Sequence, residues 1–501
     1  MGKQSRSKAT AQSRASSMSK QASARSNKGR QSAGMSLARW LTMPSAAFAM
    51  FGVLFAVFAV TADFSGTERP NDVHWSVIVA WSLAKLHSLD LENWQFTLQG
   101  PRTWLFNVGP LKSGFCEAGN AVVLPGSHCR SDRFPGSIFL AYPFYLVFGR
   151  SQLSIVPGTF SAVVGSAAGL AFMYRSFIKL VAPAVAVGAV ALLAFTTGVW
   201  TVSANLPWTH AAVLLGLGFA TWSVSRDRPF GAGLGYGFAI LSRPQAAVVP
   251  LVVGIWESAR RRSLIPALKI GIASALGVVA LLVYNRLNSG EWALLTGSYA
   301  GRGAAAVSPI VDQESSYLGP LRPLYDIWGT FLSPSRGLFI LSPYLLLVIP
   351  GLRAGWRAAP DWVRASAIGG LCYLILQLSG NRFTGGLGYF GYRVTMETLV
   401  LWSPLMALAF QHWTALVKWR LQAFSVLAIA SLWWFSWGAI FYKLQLGKEF
   451  DAWTYDFAAP WQQAQIGQLA ISLAIALAIA ASVRWIWRQA GATSPHEVVS
   501  R

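Results

Sequence analysis

SAAFAMFGVLFAVFAVTA, residues 45–62, decides how the rest of the chain is read. It carries no charged residue and comes close to the roughly 20 apolar residues that cross a ~30 Å hydrocarbon core as a helix. The segment before it cannot bury apolar surface of its own. Residues 1–39 hold nine Lys and Arg and no acidic residue, in a Ser- and Ala-rich setting, which predicts a disordered basic tail. Positive charge ahead of a first span holds that end in the cytoplasm, and each basic residue close to anionic headgroups adds about 1 kcal/mol. The tail lacks interleaved aromatics and any recognition fold, so nucleic acid is not expected as a partner. Val60-Thr61-Ala62 weakly resembles a signal-peptide cleavage site, yet the basic region before it is far too long, and the span is read as a retained anchor.

Composition extends this reading to the whole chain. Of 501 residues, 54% are hydrophobic and 12% charged, against roughly 25% charged in soluble proteins. A water-soluble enzyme and a disordered chain are both excluded, and an all-α polytopic membrane protein is expected. Apolar runs occur at about 45–62, 152–175, 181–200, 208–223, 230–242, 246–257, 264–284, 337–353, 363–380, 396–413, 421–442 and 465–486. Twelve transmembrane helices follow, within one unit spanning residues 40–490. The fifth and sixth runs are short for a span and are expected to form a shallow helical pair meeting at Arg243-Pro244, where proline breaks a helix. Alternation from a cytoplasmic start puts 63–134, 285–336, 381–395 and 443–464 outside and the tail 491–501 inside. On that assignment 25 of the 41 basic residues fall inside and 16 outside, so the positive-inside rule favours it. Fifteen of the 19 acidic residues lie outside or at the outer rim, so carboxylate chemistry is available there. Trp40, Trp200, Trp208, Trp222, Trp256, Trp328, Trp433 and Trp485 lie near span ends and are expected to act as interfacial anchors.

The richest ionisable cluster follows the first span: ADFSGTERPNDVHWSVIVAWSLAKLHSLDLENW, residues 62–94. Val77, Ile78, Trp81 and Ala84 recur at helical spacing, with Ser76, Ser82, Lys85 and His87 elsewhere. This predicts an amphipathic helix in the membrane interface, opened by Asn71 or Asp72 as its cap. A carboxylate at that boundary can instead take a proton from an acceptor hydroxyl. Asp72, Asp63 and Glu68 are all candidates, and spacing does not separate them.

This segment resembles the GT-C superfamily of lipid-linked-sugar glycosyltransferases, more specifically the bacterial relatives of protein mannosyltransferases and aminoarabinose transferases. Those relatives often carry Asp-Glu-x-His-Tyr, then an amphipathic helix and Leu-Asp-Leu-x-Asn. The family's Glu falls on Asp72, its Asp on Asn71, its His on His74 and its Tyr on Trp75, with Leu89-Asp90-Leu91-Glu92-Asn93 following. Four further segments agree in order: SDRFPGSIFLAYPFYLVFG (131–149), AILSRPQAAVVPL (239–251), SPSRGLFILSPYLLLVIPGL (333–352) and GGLGYFGYRVTMETLVLWSPL (385–405). The resemblance covers residues 45–405. It implies a GT-C-like bundle whose first outer loop holds interfacial helices, and a plasma-membrane enzyme with both termini cytoplasmic and its active site on the extracytoplasmic face.

The implied donor is a polyprenyl-phosphate sugar, and the acceptor is a hydroxyl of a glycan, lipid or protein. Its phosphate departs without a general acid but needs its charge stabilised. Outer-rim arginines suit that role through their bidentate fork: Arg393 first, Arg336 second, then Arg302, Arg243 and Arg382. Asp72 would act as base, inverting the sugar carbon in a single displacement. A covalent glycosyl-enzyme would want a second carboxylate nearby. His74 and Trp75, with Tyr392 beside Arg393, are expected at the substrate. A divalent cation is compatible with the phosphate, although the acidic pair reduced to Asn71-Asp72 argues against a metal held by two carboxylates. The long outer connection 285–336, whose stretch GSYAGRGAAAVSPIVDQESSYLGP covers residues 297–320, is read as a lid over the donor with Tyr299 and Arg302 reaching it. Cys116 and Cys129 share the first outer loop and suit a disulfide in an oxidising compartment. A zinc site on them lacks ligands and spacing. Two other classes fit the same composition: a lipid-linked glycan polymerase or ligase, and a lipid or glycan transporter. The transporter would want polar residues at mid-membrane on interrupted helices, and few are present.

Overall fold

The computed structural model describes residues 37–64, 71–91, 121–124, 128–131, 133–151, 153–296, 321–381, 383, 385, 389–441 and 465–490. The basic tail before residue 37, Glu68, Tyr299, Arg302, Arg382, Cys116 and the tail 491–501 lie outside them. So do the side chains of Asn71, Asp72, His74 and Cys129, and with them the proposed disulfide.

The described chain is almost wholly helical. Six helices are long and apolar enough to cross a membrane: α1 (Pro44–Thr61), α4 (Val156–Phe177), α9 (Ile265–Ser289), α13 (Asp361–Gly380), α15 (Lys418–Ile440) and α16 (Ile466–Ala490). Shorter helices pack among them: α2 (Asn71–Lys85), α3 (Pro135–Phe148), α5 (Pro183–Phe195), α6 (Thr209–Val224), α7 (Pro229–Ser242), α8 (Val248–Arg261), α10 (Arg322–Leu332), α11 (Leu338–Leu341), α12 (Leu352–Ala358) and α14 (Met396–Ala409). Proline stands at the first or second position of α1, α3, α4, α5, α7 and α9, where its missing N–H costs nothing. A two-stranded antiparallel hairpin, Ala121–Leu124 with His128–Ser131, precedes α3.

Hydrogen bonds and ion pairs sort the helix ends into two levels. At one level the Tyr174 hydroxyl donates to the Leu41 carbonyl (2.7 Å), Lys179 Nζ donates to the Ser225 carbonyl (2.8 Å), Arg261 pairs with Asp227 (2.6 Å) and Arg260 pairs with Asp361 (3.1 Å). Burial, with Arg226, Arg175 and Arg228 nearby, pushes the Lys179 ammonium below its ordinary range. At the opposite level the Asp63 N–H donates to Asn205 Oδ1 (2.9 Å), Thr159 Oγ1 donates to the Asp63 carbonyl (3.3 Å) and Asn205 Nδ2 donates to the Ala439 carbonyl (3.3 Å). The second level carries the candidate site.

Three sequence expectations change. The run 337–353 is no single helix: α11, two 3-10 turns and α12 share it, because Pro343 and Pro350 each remove a backbone donor. The helix α2 is covered all round from Trp75 to Ser82 rather than half exposed. Ser82 Oγ donates to the Ser88 carbonyl and Ser137 Oγ to Ser76 Oγ, so its small hydroxyls are satisfied internally and need no water-facing side. Trp200 and Trp208 are buried in the bundle rather than at its surface; the Trp200 indole N–H donates to Thr61 Oγ1 (2.9 Å). The pair α7 and α8 does meet at Arg243-Pro244, through one 3-10 turn at Pro244–Ala247.

Close helix contacts are made through glycine. A Cβ on Gly216 would stand 2.6 Å from the Gly235 carbonyl between α6 and α7, and one on Gly277 would collide with Gly237 between α9 and α7. Small residues at such crossings let backbones approach, the usual basis of packing in lipid. Gly277→Leu is expected to lower stability by about 3 kcal/mol through overpacking. Gly271→Ala, where the added methyl meets nothing within 4 Å, should leave the unfolding temperature in detergent unchanged or slightly raised.

Candidate functional site

The site forms where α6 begins, α7 ends and α14 is entered. Trp208 caps α6 and His210 lies in its first turn. Pro244 disfavours helical geometry in the residue before it, so Arg243 leaves α7 extended, at φ −150° and ψ 98°. The guanidinium there also complements the partial negative charge of the α7 C-terminus.

These residues form one buried chain of polar contacts. Arg243 Nη2 donates to His210 Nε2 (2.8 Å), and His210 Nδ1 lies 2.5 Å from Glu397 Oε1. Since a guanidinium only donates, Nε2 must accept, so the ring proton sits on Nδ1 and is given to the carboxylate. Arg243 Nε is 3.5 Å from the same oxygen. Glu397 is 2% exposed and Arg243 11%. Glu397 Oε2 has no hydrogen-bond partner among the described residues.

One turn before Glu397, the Arg393 guanidinium lies 4.7 Å from the Trp208 ring centre and 5.2 Å from that of Tyr389. Arg336 approaches the Tyr389 ring more closely, at 4.0 Å. Its Nη1 donates to the carbonyls of Tyr389 (2.9 Å) and Gly391 (2.8 Å), and the residue is 3% exposed. Gly391 takes a φ of +82°, and an added Cβ would meet the Phe435 ring at 2.9 Å. The loop carrying Tyr389 and Arg393 is thereby pinned from beneath by Arg336. Flat guanidiniums against aromatic faces are favourable.

Arg336 and Arg393 share the Tyr389 ring, and Arg243 bonds His210, two residues after the Trp208 that Arg393 lies against. Trp75 and Val73 of α2 share one apolar cluster with Trp208 and Tyr389. Asp63 is buried at the same level, held through its backbone by Asn205 and Thr159. Tyr392 is not brought to the arginines: it lies in the core, its hydroxyl 2.8 Å from Ser342 Oγ and its ring against Phe435. Among the described residues no three His, Cys, Asp or Glu side chains are grouped as a metal site. His210 and Glu397 were missed by sequence reasoning. The available signal was an ionisable residue in the first turn of an apolar run, which in a membrane protein points to function.

Comparison of the chain with family models, with characterised proteins and with solved structures finds no match.

Proposed function

We propose that the chain is an integral membrane glycosyltransferase that moves a sugar from a polyprenyl-phosphate donor to an acceptor hydroxyl on the extracytoplasmic face. The reading includes a GT-C-like bundle of about twelve transmembrane passes in the plasma membrane, with both termini cytoplasmic. The basic groups gathered at the Lys179 and Arg261 level support that orientation through the positive-inside rule. One observation carries the reading. The helix that begins at Asn71-Asp72 buries Val73 and Trp75 in the same cluster as Trp208 and Tyr389, the two rings against which Arg393 lies. The helix whose first turn carries the candidate base therefore packs into the same cluster as the rings beneath the candidate phosphate clamp.

In this reading Asp72 takes the proton from the acceptor hydroxyl as it attacks the sugar carbon, inverting it. The carbon–oxygen bond to the donor phosphate breaks, and Arg393 stabilises the charge left on the phosphate. Arg336 acts through the loop, since its Nη1 is committed to two carbonyls, and Arg243 is held by His210 and Glu397. The test is transfer by the purified protein from radiolabelled polyprenyl-phosphate sugars, with nucleotide sugars compared. Incorporation from the lipid-linked donors alone is expected; activity only with nucleotide sugars, or none from any polyprenyl-phosphate sugar, overturns the reading. Arg393→Ala is expected to lower that rate about 10²-fold, the loss typical of one charge-stabilising donor, with Arg393→Lys recovering part of it.

A further inference from the structure

A cavity of about 860 Å³ lies between α5, α14, α15 and α16, running along α14 from Leu399 near its start to Phe410 at its end. The Phe410 and Trp487 rings, 6.2 Å apart, both line it where α14 finishes. Its volume is that of a site for a whole small ligand, roughly 300–1,000 Å³. Its wall is apolar over most of its area, with Leu192, Met406 and Leu432 typical and Thr197, Tyr344, Ser403, Gln422 and Ser425 as uncharged polar groups, and its charged residues are Arg484 and Arg488 toward the C-terminal end of α16.

The two arginines stand four residues apart on α16, so they share one face of the helix, and both line the cavity. Neither has an ion pair or side-chain hydrogen bond among the described residues, while Arg260, Arg261 and Arg364 at the same level are all paired with carboxylates. Exposed Trp419 and Trp485 flank the mouth in sequence, and amphipathic rings of this kind settle at headgroup depth. The occupant that fits has an apolar chain for the cavity and a negative charge at its end.

We infer that this cavity binds an anionic phospholipid, one acyl chain lying between α5 and α15 and the phosphate held by Arg484 and Arg488. The charge of the site selects the lipid: two guanidiniums without a carboxylate favour a headgroup of net charge −1 over a zwitterionic one. The inference stands apart from the transferase reading, because the cavity shares no residue with the Arg393 site.

Native mass spectrometry of the full chain, extracted into mild detergent with equal amounts of phosphatidylglycerol and phosphatidylcholine, tests it. The wild type is expected to retain phosphatidylglycerol at least tenfold more than phosphatidylcholine. Arg484→Gln with Arg488→Gln should abolish that preference, and Ala480→Phe, which fills the cavity and keeps both arginines, should reduce retention of either lipid. Equal retention of the two lipids by the wild type overturns the inference, as does unchanged retention by both variants. Retention of a polyprenyl phosphate in place of phosphatidylglycerol overturns the identity of the occupant. Unfolding temperatures in lipid-free detergent, expected to match across the three proteins, separate lost binding from lost folding.

Discussion

Asp72→Asn is expected to lower transfer from a polyprenyl-phosphate sugar by about 10³-fold, within the 10²–10⁴ that a positioned base contributes. The unfolding temperature should not move. The substitution is chosen because it separates the two roles that position can play. Asp72 is the second residue of α2, in its first turn rather than at its cap, and asparagine is the same size and keeps a side-chain oxygen. It cannot accept the acceptor's proton. If Asp72 only helped to open α2, Asp72→Asn would keep full activity. The rival carboxylate is Asp63, whose backbone is fastened to Asn205 and Thr159. Asp63→Asn keeps those backbone bonds, so near wild-type rates are expected from it. Full activity in Asp72→Asn together with loss in Asp63→Asn would move the base to Asp63 and leave the reaction class standing.

The long apolar helices were legible because each is a continuous run closed by charge or proline, and hydrophobic length is a strong signal in a membrane protein. The joint at Arg243-Pro244 was legible for a related reason, since proline acts on its neighbour whatever the tertiary setting. The arginine wall was legible in membership but not in arrangement. Arg336 and Arg393 could be named from their segments, yet only the fold shows that Arg336 spends Nη1 on the carbonyls of Tyr389 and Gly391. The burial of α2 escaped because Ser76 and Ser82 count as polar in any periodicity, while a serine bonded to its neighbours packs like alanine. Tyr392 was misplaced because adjacency to Arg393 in sequence was taken for adjacency in space, and the turn at Gly391 sends its ring into the core. His210 and Glu397 stand 187 positions apart, so no local pattern could join them.

That pair supports the largest stability effect expected here. Glu397→Ala should destabilise the protein by about 3–5 kcal/mol, the usual cost of removing one partner from a buried ion pair. Its carboxylate receives the His210 Nδ1 proton at 2.5 Å and lies 3.5 Å from Arg243 Nε. Removing it deprives a guanidinium that is 11% exposed of the carboxylate 3.5 Å from its Nε, and strips His210 of the acceptor that fixes its tautomer. Glu397→Gln should cost less, because its amide oxygen can still accept from the ring while the charge is lost. The double replacement Arg243→Leu with Glu397→Leu tests whether the loss is a stranded charge rather than a lost cavity filler. Replacing both partners by apolar residues is often close to neutral, so the double variant should unfold nearer the wild-type temperature than Glu397→Ala does. Unfolding in detergent, followed for the wild type, Arg243→Leu, Glu397→Leu and the double variant, gives the coupling directly. Additive losses in that cycle would mean that Glu397 and Arg243 act separately, and the polar chain joining α6, α7 and α14 would then be incidental to how the arginine wall is held.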